Sequence, residues 1–257
     1  MQTGQKFEAL VEIMNRLRQP DGCPWDIEQT HASLRQYLLE ETYEVLECLD
    51  ENNLVELPKE LGDVLLQIVF HAQIASEAGN FTIDDVIDNL SKKLVERHPH
   101  VFGDATIKTA DEQVKNWELL KKKEGKKSVI EGVPNRLPAL QRAMRLQQKA
   151  ATVGFDWPDV ESVWKKFHEE LHELQQALEG ASQEKIEDEF GDVLFSLVNV
   201  GRFIKCQPEN ALRGTIDKFI KRFQYIEQEF AATGIEWHEA SLKEMDELWE
   251  EAKSKEL

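Results

Sequence analysis

Glu189-Phe190-Gly191-Asp192-Val193-Leu194-Phe195 occurs twice in this chain, the other copy being Glu60-Leu61-Gly62-Asp63-Val64-Leu65-Leu66. Five of the seven residues are identical, and each copy lies downstream of a glutamate cluster. Those clusters are Glu40-Glu41-Thr42-Tyr43-Glu44 and Glu169-Glu170-Leu171-His172-Glu173. Glu41, Glu44, Glu60 and Asp63 map onto Glu170, Glu173, Glu189 and Asp192 at one constant offset of 129 residues. A gapless internal repeat of this kind marks a duplicated structural unit.

The spacing of the carboxylates gives the duplicated unit a chemistry. Glu170 and Glu173 are three apart and share one helix face, as do Glu189 and Asp192 on the next helix. The short connection at Gly180-Ala181-Ser182 makes those two helices an antiparallel pair. Packed helices lie about 8–10 Å apart, so carboxylates from both reach one ion. Four carboxylates with no repeated His or Cys select a hard cation, Mg²⁺ or Mn²⁺. Held together without it they repel, so the cation belongs to the design. Glu41, Glu44, Glu60 and Asp63 predict the same site in the first half. One such pair alone would be a solvated helix face. Apolar neighbours (Leu171 and Leu174; Phe190, Val193 and Leu194) and the repetition argue against that. Glu169 with His172 also fits a di-iron ExxH spacing, but the first copy offers Glu40 and Tyr43, so the histidine is not repeated.

Outward from this pair nearly every segment reads as an amphipathic helix. Phe7, Leu10, Val11, Met14 and Leu17 form a first apolar face. A second helix is expected from Glu28 to Asp50, after a Cys23-Pro24-Trp25-Asp26 loop. A third starts near Pro58 and stops at Gly79. Thr82 with Asp85, Thr109 with Glu112, and Ser241 with Glu244 predict N-caps. The second half repeats the plan, with helices at roughly 139–151, 158–179, 183–206 and 208–232. Val193 to Val198 has a strand-like composition, but its place in the repeat favours a helix. The expected fold is all-α: tandem helical-bundle domains over 1–124 and 138–257, joined by a Gly- and Pro-containing linker at 125–137.

Composition limits the partners. With 257 residues and a net charge of −18, the chain is globular and strongly acidic. Nonspecific binding to nucleic acid or to an acidic membrane is not expected. A nucleotide is compatible, because a bound cation reverses the local field. Three unclustered cysteines, Cys23, Cys48 and Cys206, suit the cytoplasm and no structural zinc. The first residues lack the apolar core of a signal peptide, and no run is long enough to span a bilayer.

Cations flank the second carboxylate set. Lys166 lies one helical turn before Glu170, and Lys185 one turn before Glu189. Lys218 and Arg222 are an i, i+4 pair on the following helix. Beside a carboxylate site these four are expected to contact phosphate, although ordinary surface charge is the alternative. Trp249 either stacks on a base or packs in the core. At the fixed offset Lys166 falls on Tyr37 and Lys185 on Glu56. The first half therefore lacks these two cations, unless Arg35 replaces one, and the C-terminal half is expected to carry most turnover.

With these residues the sequence resembles the MazG family of nucleoside triphosphate pyrophosphohydrolases, whose pattern is EExxE, a spacer, then ExxD. Glu169-Glu170-x-x-Glu173 with Glu189-x-x-Asp192 satisfies it, as does Glu40-Glu41-x-x-Glu44 with Glu60-x-x-Asp63. The resemblance runs over essentially the whole chain. It implies Mg²⁺-dependent hydrolysis of nucleoside triphosphates to monophosphate and pyrophosphate by an all-α domain that works as a homodimer. Water is then expected to attack the α-phosphorus, with Glu170 and Glu173 holding metal and Glu169 orienting that water or taking its proton. Broad base specificity and a nucleotide-pool housecleaning or stress-linked role are the family-level association. The alternative is a non-catalytic Mg²⁺-binding module that engages a regulatory protein partner.

Overall fold

A computed structural model describes residues 2–109, 112–113, 116–117 and 128–255. The chain divides into two compact units, Met1–Lys108 and Thr109–Leu257. Both are helical, and no strand occurs among the described residues. The all-α expectation holds, and Val193–Val198 lies inside a helix.

The first unit contains α1 (Thr3–Leu17), α2 (Pro24–Glu28), α3 (Arg35–Asp50), α4 (Leu57–Glu77), α5 (Ile83–Arg97) and α6 (Pro99–Phe102). Helix α4 is the hub, packing against α1, α3 and α5. Its core is Met14, Leu34, Val69 and Phe70, with Phe7, Leu10, Val11, Tyr37, Leu65 and Leu66 around them. Removing such side chains from water is the main stabilising term. Two expectations need correction. Cys23-Pro24-Trp25-Asp26 is not a loop throughout: Pro24 opens α2, because a proline at the first helical position loses no hydrogen bond. The next helix begins at Arg35 rather than Glu28. Thr30 and Ser33 exchange reciprocal side-chain-to-backbone bonds of 2.9 and 3.1 Å, which hold the chain in a turn.

The second unit contains α7 (Ala139–Ala151), α8 (Val160–Ala177), α9 (Gln183–Phe203), α10 (Pro208–Thr233) and α11 (Leu242–Ser254). Helices α8 and α9 form the most extensive pair, with α7 across α9 and α11 against α10. Met144, Val163, Val198, Val200, Ile226 and Phe230 are buried. Most of the fifth helix expected after Thr109, and residues 125–127 of the expected linker, lie outside the described residues. The expected cap at Thr109 is made, its Oγ1 accepting from Glu112 N–H at 3.2 Å.

The caps at Thr82 and Ser241 form as capping boxes. Ser182 caps α9, the helix that carries half of the second carboxylate set, by accepting from Lys185 N–H. Ser182→Ala is expected to cost about 1 kcal/mol of stability in a denaturant titration. An unchanged midpoint would contradict that role for Ser182. Among the described residues no helix is long and apolar enough to cross a membrane.

Candidate active site

Helix α8 presents Glu170 and Glu173 from one face, and α9 presents Glu189 opposite them. One oxygen from each lies within 4.8 Å of the others. Glu170 and Glu189 are buried, at 8% and 5% exposure. Such carboxylates are rarely sequestered without compensation. Lys166 provides part of it, its Nζ lying 2.7 Å from Glu169 and 2.8 Å from Glu170. Lys185 contacts Glu189 Oε1. Hydrogen bonds to these glutamates hold both lysine pKa values above the ordinary range.

The first unit repeats the arrangement with Glu41, Glu60 and Asp63 within the same 4.8 Å limit. Glu60 is 6% exposed. Each unit leaves out a different member of the expected four. Asp192 stands outside the tight C-terminal group, and Glu44 outside the N-terminal one. His172 belongs to neither and contacts Gln176.

The first unit is not without a cation. Lys59 Nζ lies 2.9 Å from Glu60 Oε1, in place of the missing counterpart of Lys185. Arg35, the substitute considered from sequence, makes no such contact with the group among the ion pairs of the described residues. Lys59 escaped notice because adjacent residues on a helix do not face each other. Its long stem reaches back across that angle.

Both groups fit a hard cation on a specific observation. Glu60 Oε2 and Glu189 Oε2, equivalent atoms at the 129-residue offset, are buried with no hydrogen-bond partner. In each case the lysine satisfies the other oxygen only. A divalent ion with oxygen ligands supplies what the orphan oxygen and its neighbours lack. Crowding shifts the carboxyls of the first unit. Burial, then Asp63, Glu40 and Glu60, push the Glu41 carboxyl above its usual range. The nearby Glu60 carboxylate raises Glu44, while the Lys59 hydrogen bond lowers Glu60.

Asp192 is raised by burial and by the charges of Glu170, Glu189 and Asp188. Its folded pKa is above the unfolded one, so ionised Asp192 costs stability at neutral pH, and the cost disappears as pH falls through that raised pKa. Asp192→Asn is therefore expected to raise the melting temperature in chelator at neutral pH, with the gain shrinking toward acid. A variant that melts lower than wild type at every pH would contradict this reading.

A cavity of about 550 Å³ opens beside the C-terminal carboxylates. Lys166, Glu170 and Asp192 line its charged end, and Phe155, Trp157 and Phe195 supply aromatic walls. Asp192, Ser196, Asn199 and Arg202 follow one another at helical spacing along α9 into it. Arg202 is fixed there, donating to Asp156 Oδ2 at 2.9 Å and to Asn199 Oδ1 at 2.9 Å. That ion pair holds the Asp156 carboxyl below its usual range. The size is that of an ordinary small-ligand site.

The equivalent positions of the first unit are bulkier. At the same offset Val163, Lys166, Ser196 and Asn199 correspond to Leu34, Tyr37, Gln67 and Phe70. Leu34, Gln67 and Phe70 are all buried. Trp25 packs edge-on to Tyr37 and Phe70, with ring centroids 5.7 and 6.4 Å apart.

Of the expected substrate residues, Lys166 lines the cavity and Lys185 meets the carboxylates. Lys218, Arg222 and Trp249 do not line the cavity. Trp249 packs on Phe219 at 5.4 Å, with the Arg222 guanidinium 5.6 Å from its ring centre. Gln147, Asn199 and Arg202 line the cavity without belonging to any motif of the sequence. The available signal was three polar residues interrupting otherwise apolar helix faces.

The fold and site define an all-α protein with duplicated groups of clustered carboxylates, one of them opening on a ligand-sized cavity. The MazG nucleotide pyrophosphohydrolase domain matches residues 29–102 and 159–226, segments that contain both carboxylate sets. A protein of Thermotoga maritima named nucleoside triphosphate pyrophosphohydrolase/pyrophosphatase MazG is 49% identical over 255 residues, which is 98% of this chain and 97% of that one. The nucleoside triphosphate pyrophosphohydrolase of Escherichia coli K12 is 41% identical over 261 residues, 98% of each chain. This chain belongs to the MazG nucleotide pyrophosphohydrolase family.

Proposed function

We propose that this protein hydrolyses nucleoside triphosphates to the monophosphate and pyrophosphate with Mg²⁺ or Mn²⁺, and that the C-terminal unit carries the turnover. The observation that carries the reading is the buried Glu170–Glu173–Glu189 group, with an orphaned Glu189 oxygen, beside a nucleoside-sized cavity. The names of the full-length relatives support the substrate class.

Glu170, Glu173 and Glu189 would hold the cation, with Asp192 able to join from the cavity side. The bound ion supplies positive charge against the phosphates and makes coordinated water more acidic. The lysines do the rest of the positioning. Lys166 faces both the carboxylates and the cavity, so its ammonium guides a phosphate chain to their boundary. Lys185 offers a second contact once a cation relieves it of Glu189. Glu169 remains outside the metal group, exposed and held by Lys166, where it orients water or accepts its proton. The aromatic walls exclude water from the nucleoside end.

The first unit keeps a carboxylate group, but it puts larger side chains, Leu34, Tyr37, Gln67 and Phe70, at the positions that wall the C-terminal cavity. Its role in this reading is cation binding without substrate turnover.

The assembly proposed is a homodimer in the cytoplasm. Phe190, Leu197, Phe219 and Ile220 are exposed apolar residues on α9 and α10, and such exposed apolar side chains suit burial against a second copy. In that assembly Lys218, Arg222 and Trp249 could meet substrate across the interface. Broad base specificity and a housecleaning or stress-linked role complete the proposal. Incubation of purified protein with each nucleoside triphosphate and Mg²⁺ tests it. Monophosphate and pyrophosphate in equal amounts are expected; diphosphate with orthophosphate, or no product, contradicts it and favours a non-catalytic cation-binding module.

A further inference from the structure

Gln147, on α7, combines two properties. It lines the cavity, and it is 8% exposed with a buried Oε1 that has no hydrogen-bond partner. Its orientation is set by the other end of the amide, because Nε2 donates to the Phe195 carbonyl at 2.8 Å. A carbonyl accepts only, so that contact assigns the nitrogen and leaves Oε1 as the acceptor. The neighbouring cavity donors are committed elsewhere. Ser196 Oγ donates to Val193 O at 2.9 Å, and Arg202 is held by Asp156 and Asn199. The Arg202 contact also occupies Asn199 Oδ1, which leaves Asn199 Nδ2 as a donor on the cavity wall.

We infer that Gln147 and Asn199 read the edge of the nucleobase: Gln147 Oε1 accepts a base N–H, and Asn199 Nδ2 donates to an adjacent base nitrogen or carbonyl. This rests on the proposed hydrolysis and places the base in the cavity, at the end away from the carboxylates. A buried acceptor left unpaired is costly, so an occupant that supplies the donor is favoured over one of the same shape that lacks it. The ligand class is a nucleobase with an N–H beside an acceptor. This edge is common to the natural bases, so the reader demands a base without selecting one and agrees with broad specificity.

The test compares kcat/KM for ATP, purine riboside 5′-triphosphate and 2′,3′-dideoxy-ATP in wild type and Gln147→Met. Purine riboside keeps the ring shape but lacks the exocyclic N–H. Dideoxy-ATP keeps the base and lacks both ribose hydroxyls. Wild type is expected to favour ATP over purine riboside triphosphate by about tenfold. In Gln147→Met that preference falls to about twofold or less, and the ATP to dideoxy-ATP ratio stays the same. An unchanged purine riboside ratio in the variant overturns the inference. So does a loss confined to the dideoxy comparison, which would assign Gln147 to the ribose. If the variant does not fold, the wild-type ratio still decides, because equal rates with ATP and purine riboside triphosphate leave no role for a base N–H. Pyrophosphate release with unchanged ratios defeats this inference alone. Absence of pyrophosphate from every triphosphate defeats the hydrolase reading with it.

Discussion

Glu170→Ala is expected to lower pyrophosphate release on the order of 10³-fold, while Glu41→Ala leaves it within about twofold of wild type. The two residues occupy equivalent places in the repeat and belong to equivalent carboxylate groups. They differ in what lies beside them. Glu170 lines a cavity of about 550 Å³. The counterparts of that cavity's wall in the first unit include buried Leu34, Gln67 and Phe70. Loss of a cation ligand matters for turnover only where a nucleoside has room to bind. Circular dichroism and melting curves separate this effect from unfolding. Glu170→Ala removes one of several crowded carboxylates and leaves Lys166 paired with Glu169, so the helices are expected to persist. Equal losses from the two substitutions would contradict the assignment of turnover to the C-terminal unit.

Asn199→Phe is expected to lower kcat/KM for nucleoside triphosphates by about 100-fold, chiefly through KM, with Mn²⁺ binding unchanged. The substitution copies the first unit, where Phe70 holds this position at 2% exposure. A phenyl ring at 199 fills space beside Trp157 and Phe195 and removes the Oδ1 that receives Arg202 Nε. The tight carboxylate group meets α9 at Glu189, nearly three helical turns before position 199, so the ring does not displace it. Steady-state kinetics and Mn²⁺ titration by electron paramagnetic resonance give the two readouts. Hydrolysis with an unchanged KM would show that the nucleoside does not use this cavity.

The contrast between these residues follows what the sequence makes visible. The clustering of Glu170, Glu173 and Glu189 is legible because helical spacing is local and the repeat displays it twice, whereas Asp192, expected with them, lines the cavity outside the tight group. The caps at Thr82 and Ser241 were legible for the same reason: donor and acceptor are three residues apart. The cavity is not, because its wall comes from several separate places, α8 with Val163 and Lys166 among them. Gln147 lies on α7, Trp157 lies in the loop after it, and Asn199 and Arg202 lie on α9. Only tertiary packing brings them together. Pro24 reads as a loop residue in sequence, yet it opens α2, because a proline both ends one helix and begins another. Lys59 was missed because spacing rules describe where Cβ atoms point, not how far a lysine stem bends. Trp249 was ambiguous in sequence; it packs against Phe219 and beneath Arg222. That contact suits either a core indole or a preformed stacking platform.

The most direct test of the central claim is hydrolysis of ATP in ¹⁸O-labelled water with Mg²⁺, followed by mass spectrometry of both products. Attack of water on the α-phosphorus puts the label in the monophosphate and leaves pyrophosphate unlabelled, and Glu170→Ala should lower the amount of labelled monophosphate formed on the order of 10³-fold. Label found in pyrophosphate, or labelled monophosphate formed by Glu170→Ala at the wild-type rate, would contradict a C-terminal pyrophosphohydrolase.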